Sequence, residues 1–94
     1  IILSADRHRS DAYKIDTGIK GMYPLYEWQS SRLTNQHVHG LIKHSLFGYN
    51  AKQSFGRVDF DLKADDPTVN CSIVNIDGKV IHSLKVKRSD LQFD

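Results

Sequence analysis

The residues best suited to chemistry stand near the start of the chain, where the apolar run Ile1–Leu3 is followed closely by Asp6-Arg7-His8-Arg9. In an extended strand, residues two apart point to the same side, so the sequence predicts that Asp6 and His8 project together. A carboxylate beside an imidazole can hold a metal ion or act as an acid–base pair. Arg7 and Arg9 supply donors that suit a phosphate. The alternative interpretation is a charged turn in which Asp6 caps the following segment.

A second pair with the same spacing, His37-Val38-His39, lies further along the chain. Two imidazoles on an extended segment can share a metal ion. This pair stands in a polar, glycine-flanked segment without an acidic residue close by, the nearest upstream acid being Glu27. We therefore treat His37 and His39 as an alternative metal site, and adventitious metal taken up from solution is an equally good interpretation of the pair.

Serine, histidine and cysteine side chains elsewhere favour structural roles. Ser30 and Ser31 follow an aromatic stretch and could donate hydrogen bonds to an anion, but they lack the Gly-x-Ser-x-Gly frame of a serine nucleophile. We predict that they satisfy backbone groups at the end of a strand. His82 alternates with apolar residues and is predicted to pack in a core or an interface. Cys71, the single cysteine, is predicted to be a small buried hydrophobe.

The second half of the chain has the clearest structural pattern. Apolar and polar residues alternate in FGRVDFDLKA, TVNCSIVNI and KVIHSLKVKR, which is typical of half-buried strands. In the first of these, Val58, Phe60 and Leu62 share the side that is predicted to face the core. Asp77-Gly78 predicts a tight hairpin turn. Residues 55–88 are therefore predicted to form a three-stranded antiparallel meander.

The first half is less regular and predicts shorter strands. Residues 1–5 are predicted to form a buried strand and residues 12–16 a short one. MYPLYEWQSS is predicted to be extended, because Pro24 opposes a helix and aromatic residues favour a sheet. Residues 31–46 have weak periodicity and are predicted to be a long loop with at most one helical turn. The sequence thus predicts a mainly β chain with few or no helices.

Length and composition narrow the function classes. The 94 residues allow one domain at most, which we predict to be a partial one spanning 1–94. A formal net charge of +2 with scattered Lys and Arg indicates no nucleic-acid partner. No stretch reaches the roughly 20 apolar residues of a membrane span, so no membrane partner is predicted either.

The first residue belongs to an apolar run, and no Met precedes it. A native N-terminus is usually polar and frayed, so this start predicts that the chain is a fragment and that partners of Asp6 and His8 lie upstream. A sheet without its partner layers exposes edges and an apolar face. We therefore expect the fragment to self-associate.

Taken in order, four segments resemble the alkaline phosphatase D (PhoD-like) branch of the metallophosphatases. IILSADRHRSDAYKI is similar to the final metal-binding segment of that family, in which an apolar strand ends in a Ser-Gly-Asp-x-His motif. YPLYEWQSSRLTN is similar to a strand that runs into Thr-Ser-Ser-x-Leu-Thr. NAKQSFGRVDFDL resembles an Asn-x-Phe-Gly segment, and DDPTVNCSIVNIDGKVIHSLKV resembles the closing hairpin. The resemblance runs from residue 1 to about 87.

The resemblance implies a four-layer αββα sandwich, of which this chain would be the C-terminal part, with a bimetal site at the strand ends. It implies an exported bacterial enzyme that hydrolyses phosphate mono- or diesters with Zn, Ca, Fe or Mn. Asp6 and His8 match the Asp-x-His positions, whereas Ala5 stands where the family has glycine. Ser30, Ser31, Leu33 and Thr34 match the family's Ser-Ser-x-Leu-Thr sequence. We take these residues to be mainly structural.

The metallophosphatase core also has Asp-x-His, Gly-Asp-x-x-Asp and Asn-His motifs of its own. Apart from Asp6 and His8, nothing in the 94 residues matches them. The resemblance therefore implies an incomplete site and a fragment that does not catalyse alone. The rival hypothesis is a small stand-alone β domain for binding or protein interaction without catalysis. It accounts for the meander equally well.

Overall fold

The computed structural model describes residues 1–33, 40–41 and 43–92. Within them the chain forms seven strands and one turn of 3-10 helix, arranged as two sheets, so the predicted mainly β fold is confirmed. No helix in these residues has the length and apolarity that crossing a membrane requires. The elements are β1 (Ile2–Ser4), β2 (Ser10–Ile15), β3 (Leu25–Gln29), β4 (Phe47–Tyr49), β5 (Ser54–Asp61), β6 (Thr68–Asn75), β7 (Val80–Lys87) and the 3-10 turn (Arg88–Leu91).

The larger strands form an antiparallel sheet in the order β5-β6-β7, which confirms the predicted meander. Val58, Cys71 and Leu84 lie opposite one another across the three strands, so the alternating apolar residues share one face. The Asp-Gly hairpin is confirmed as well. Gly78 takes a φ of 78°, and the Asn75 side-chain oxygen accepts hydrogen bonds from the backbone N–H groups of Asp77 and Lys79, each at 3.0 Å.

The shorter strands form a second sheet in the order β1-β3-β2-β4. β1 runs parallel to β3, while the other two pairs are antiparallel. The predicted burial of the first strand is wrong, because Leu3 is 62% exposed and Ile2 45% exposed. β1 is an edge strand that pairs only with β3 among the described strands, and its apolar residues are therefore covered on one side at most.

The core lies between the two sheets. Trp28 meets Phe47 edge-on, with 5.4 Å between ring centroids, and Phe47 stacks on His82 at 4.5 Å. His82 thus packs against the core as the sequence predicts. The Cys71 prediction is also confirmed, and burial raises the pKa of its thiol. The buried apolar cluster consists of Ala12, Tyr26, Trp28, Val69, Cys71, Ile73 and Val86.

The predicted core face of β5 is only partly correct. Val58 packs at the edge of the core, but Phe60 is 70% exposed and Leu62 is 75% exposed. Val69 and Val86, which lie in the same cross-strand row as Phe60, are buried. The cover therefore reaches β6 and β7 at this level but not the edge strand β5, and alternation alone cannot reveal that.

Candidate metal and phosphate site

The polar segment Asp6–Arg9 is a bend between two strands. β1 ends at Ser4 and β2 begins at Ser10, so the predicted strand geometry that aligned Asp6 with His8 is wrong. Asp6 has a φ of 79° and His8 a φ of 52°, both in the left-handed region. Side chains other than glycine adopt this region at a steric cost, although Asp, Asn and His tolerate it best. The turn interpretation of this segment is therefore correct for its backbone.

A set of serines holds this bend in place. The backbone N–H of Ser30 donates to the Ser4 carbonyl at 3.1 Å, and the N–H of His8 donates to the Ser31 hydroxyl at 3.3 Å. The N–H of Ser31 in turn donates to the Ser10 hydroxyl at 3.3 Å. The Ser31 hydroxyl therefore satisfies one backbone N–H, as predicted, but that group belongs to His8 in the bend and not to the end of a strand. These bonds connect both ends of the bend to the segment that follows β3.

The two proposed metal ligands differ in exposure. The Asp6 side chain is exposed to solvent, and His8 is partly buried. An exposed carboxylate and an imidazole are suitable donors for Zn, Mn or Fe. In the described part of the chain, no group of three or more His, Cys, Asp and Glu residues comes together. Asp6 and His8 therefore do not form a complete metal site with other side chains of the described residues.

The alternative histidine pair, His37 and His39, lies outside the described residues, as does Thr34 of the serine segment. The long loop predicted over 31–46 is described only in part. Its described residues, 31–33, 40–41 and 43–46, form no helix and no strand.

The two arginines have different surroundings. Arg7 is exposed, so its guanidinium is accessible to an anion in solution. Arg9 is buried, and its Nε donates to the Asp11 carboxylate at 2.7 Å. Burial lowers the pKa of Arg9, but hydrogen bonds to Asp11 and Tyr13 outweigh this effect and leave that pKa raised. Arg9 is therefore held as a cation beside the bend, with part of its hydrogen-bonding capacity used within β2.

Sequence reasoning missed Asp11 and Tyr13. Asp11 is 0% exposed, and its second oxygen, Oδ1, has no hydrogen-bond partner among the described residues. Desolvation raises the pKa of Tyr13, and the charge of Asp11 adds to the shift while Arg9 opposes it. The available signal was the alternation of Arg9, Asp11 and Tyr13, which puts Asp11 and Tyr13 on one face of β2 with Arg9 just before it.

A cavity of about 310 Å³ lies beside the serine anchors, between β1, β3 and β5. Its described lining includes Ser4, Ser31, Trp28 and Ser54. Ser54 is buried, and its hydroxyl lies 3.3 Å from that of Ser10. The serines that hold the bend therefore also form part of the wall of this cavity.

Comparison with known proteins identifies no relative: the chain matches no family model, no curated protein and no solved structure.

Proposed function

We propose that this chain supplies part of the active site of a metal-dependent phosphatase or phosphodiesterase similar to the alkaline phosphatase D enzymes. Asp6 and His8 are the metal ligands in this proposal. The observation that carries it is the left-handed backbone at both residues, φ 79° and 52°, in a bend anchored by serines. Strained backbone persists where surrounding structure maintains it, and such strain concentrates at functional sites.

The surrounding residues have supporting roles. Ser31 and Ser10 fix the position of the bend, so that the Asp6 carboxylate and the His8 imidazole are presented from a fixed backbone. Arg7 is exposed and provides a cation for a phosphate oxygen, whereas the charge of buried Arg9 is balanced by its ion pair with Asp11. A bound metal pair would supply an activated water and stabilise the phosphoryl transition state.

His8→Ala is expected to abolish this activity in the longest polypeptide that the gene encodes. The expected fall in kcat/KM for 4-nitrophenyl phosphate is about 100-fold or more, since loss of outer-shell partners alone costs about 10–100-fold. The assay is run with Zn, Ca, Fe and Mn, and repeated with bis(4-nitrophenyl) phosphate. The 94-residue chain alone is expected to show no hydrolysis above background, because it holds only two of the proposed ligands.

His44→Ala is the matched control, because it removes an exposed histidine from another described loop and is expected to leave kcat/KM unchanged. Three results would each contradict the proposal. They are turnover by the 94-residue chain, wild-type activity of His8→Ala, and absence of activity in the longest polypeptide with every metal tested.

A second candidate function is binding or protein interaction without catalysis, favoured by the exposed apolar end of the larger sheet. Phe60 and Leu62 border a groove of about 340 Å³ that also includes Val86 and Leu91. Exposed apolar surface of this kind commonly marks an interaction site. This second function would be supported over the first if the longest polypeptide that the gene encodes forms a specific complex and hydrolyses no phosphate ester.

A further inference from the structure

The outer edge of β5 presents backbone groups that a further strand can use. β5 pairs with β6 on one side and is unpaired on the other among the described strands. The Gln53 carbonyl accepts a hydrogen bond from the N–H of Ile76, which follows β6, at 2.9 Å. The next residue points the other way, because the Ser54 N–H donates to the Arg32 carbonyl at 3.1 Å. The free side of β5 is therefore the side to which Ser54 donates.

The backbone groups of Gly56, Val58 and Phe60 are directed to this same free side, because hydrogen-bonding directions alternate along a strand. Arg32 occupies the edge at Ser54, so a further strand can pair only with the residues that follow. That part of β5 is accessible, since Gly56 is exposed and Phe60 is 70% exposed. The edge from Gly56 onward is thus open to a second chain.

The charges on β5 favour one antiparallel pairing of the strand with a copy of itself. Val58 packs toward the core, so its neighbours Arg57 and Asp59 lie on the opposite face, where both side chains are 54% exposed. A pairing centred on Val58 places Arg57 opposite the partner's Asp59, and two-fold symmetry repeats this contact. Opposite charges that face each other across two strands stabilise the pair.

Neighbouring registers lose this complementarity. A pairing centred on Arg57 puts that residue opposite its own copy, and a pairing centred on Asp59 does the same for the carboxylates. Like charges directly opposite one another destabilise a strand pair. The existing ion pair between Arg57 Nε and Asp59 Oδ2, at 2.9 Å, is exposed and contributes little to stability, so both groups can turn to a partner at small cost.

The opposite edge of the sheet, β7, is less suited to self-pairing. β7 contains Lys85 and Lys87 and no acidic residue, so no register of two β7 strands forms a cross-strand ion pair. Lysine on an edge strand is also a common device that prevents such pairing. The two edges of one sheet therefore differ in charge pattern, and only the β5 pattern is complementary to itself.

We propose that two copies of this chain pair through β5 in antiparallel orientation, with Val58 at the two-fold axis, and join their three-stranded sheets into one. Backbone hydrogen bonds of an added strand give affinity, and the facing side chains give specificity. The partner's Phe60 lies opposite Gly56, near Leu3 and Leu33, which are 62% and 67% exposed and line the adjoining cavity. This interface gives the expected self-association a defined geometry and does not depend on the phosphatase proposal.

Charge reversal tests this register, with sedimentation velocity as the measurement. Arg57→Asp and Asp59→Arg are each expected to raise the dissociation constant of the dimer at least about tenfold, because each places like charges opposite one another twice. An equimolar mixture of these two variants is expected to recover the wild-type constant, since one chain then carries only acids at the two positions and the other only bases. The double variant Arg57→Asp/Asp59→Arg is expected to dimerise like the wild type.

Lys85→Asp is the matched control, because it makes the same change of charge at an exposed position of the other edge strand, and it is expected to dimerise normally. If a single variant does not fold, the double variant still tests the register, since its net charge equals that of the wild type. A wild-type chain that is monomeric at every concentration would overturn the proposal. So would undiminished association of a single variant, a double variant that stays monomeric, or an equal loss in Lys85→Asp.

Discussion

Asp6 and His8 hold their backbones in a conformation that glycine adopts at little steric cost, and this strain can be measured. Asp6→Gly is expected to raise the free energy of unfolding by about 0.5–1 kcal/mol, because release of the left-handed strain exceeds the entropic cost of glycine. Asp6→Asn is expected to stay within about 0.5 kcal/mol of the wild type, since Asn tolerates the same conformation. Urea denaturation measures both. A destabilised Asp6→Gly would remove the main support for a functional bend.

Two Arg–Asp pairs with identical spacing allow burial to be tested as a separate variable. Arg9 Nε lies 2.7 Å from Asp11 Oδ2, and Arg57 Nε lies 2.9 Å from Asp59 Oδ2. The first pair is buried, whereas both side chains of the second are 54% exposed. Arg9→Ala is expected to cost about 3–5 kcal/mol, because Asp11 would be left buried and unpaired. Arg57→Ala is expected to cost less than about 1 kcal/mol.

Chemical denaturation of the two single variants gives both costs. Equal costs would show that burial does not govern the Arg9–Asp11 pair. The double variant Arg9→Met/Asp11→Leu is expected to recover most of the stability lost in Arg9→Ala, because it removes both buried charges together.

At the scale of elements, the turn after β5 is tied to the 3-10 turn through Asp66. The Ser89 backbone N–H donates to the Asp66 carboxylate at 3.1 Å, and the Ser89 hydroxyl donates to its other oxygen. The pKa of Asp66 lies below its ordinary value. The hydrogen bond from the Ser89 hydroxyl is the largest cause, and the Ser89 backbone bond and the charges of Lys87 and Arg88 add to it. A carboxylate with a lowered pKa stabilises the fold when it is ionised.

This contribution has a defined pH dependence. It is fully present above the ordinary Asp pKa of about 3.9 and is lost as the pH falls through the lower pKa of the folded state. Asp66→Asn is therefore expected to reduce the loss of thermal stability between neutral pH and about pH 2. Melting curves across this range provide the measurement, with exposed Asp65→Asn as the control. An acid response of Asp66→Asn identical to that of the wild type would contradict the assignment.

At the scale of the whole molecule, the exposed apolar residues at the β5 edge of the larger sheet predict self-association of the 94-residue chain. Phe60 and Leu62 are exposed at the end of β5, which is an edge strand with an unpaired side among the described strands. Such an edge with apolar side chains favours pairing with a second copy. Light scattering is expected to show a concentration-dependent mass, and Phe60→Lys/Leu62→Lys is expected to remain monomeric. A monomer at every concentration of the wild-type chain would contradict this prediction.

Ile19→Lys serves as the control for that experiment. Ile19 is 65% exposed but lies in the loop between β2 and β3, so replacing it is expected to leave the association unchanged. Association that is lost equally in this variant would indicate general aggregation of apolar surface rather than pairing at the β5 edge.

How far each part of the fold could be predicted depended on how local its cause was. The meander of β5, β6 and β7 follows from alternation and an Asp-Gly turn, both of which operate between near neighbours. The parallel pairing of β1 with β3 was not predicted, because it joins residues about 25 positions apart, such as Leu3 and Trp28. The exposure of Phe60 was missed for a related reason, since it depends on how far the packed cover reaches across the sheet toward its edge strand β5.

The sequence by itself indicated six of the seven described strands in their order, all but β4, and concentrated acid, base and imidazole between β1 and β2. These properties follow from side-chain period and residue chemistry, which neighbouring residues set. Only the tertiary structure decided that Asp6 and His8 turn left-handed, that Arg9 pairs with Asp11, and that Trp28 and Ser30 converge beside Gly56. Each of these depends on how the strands pair and how the two sheets pack, and no local pattern encodes that arrangement.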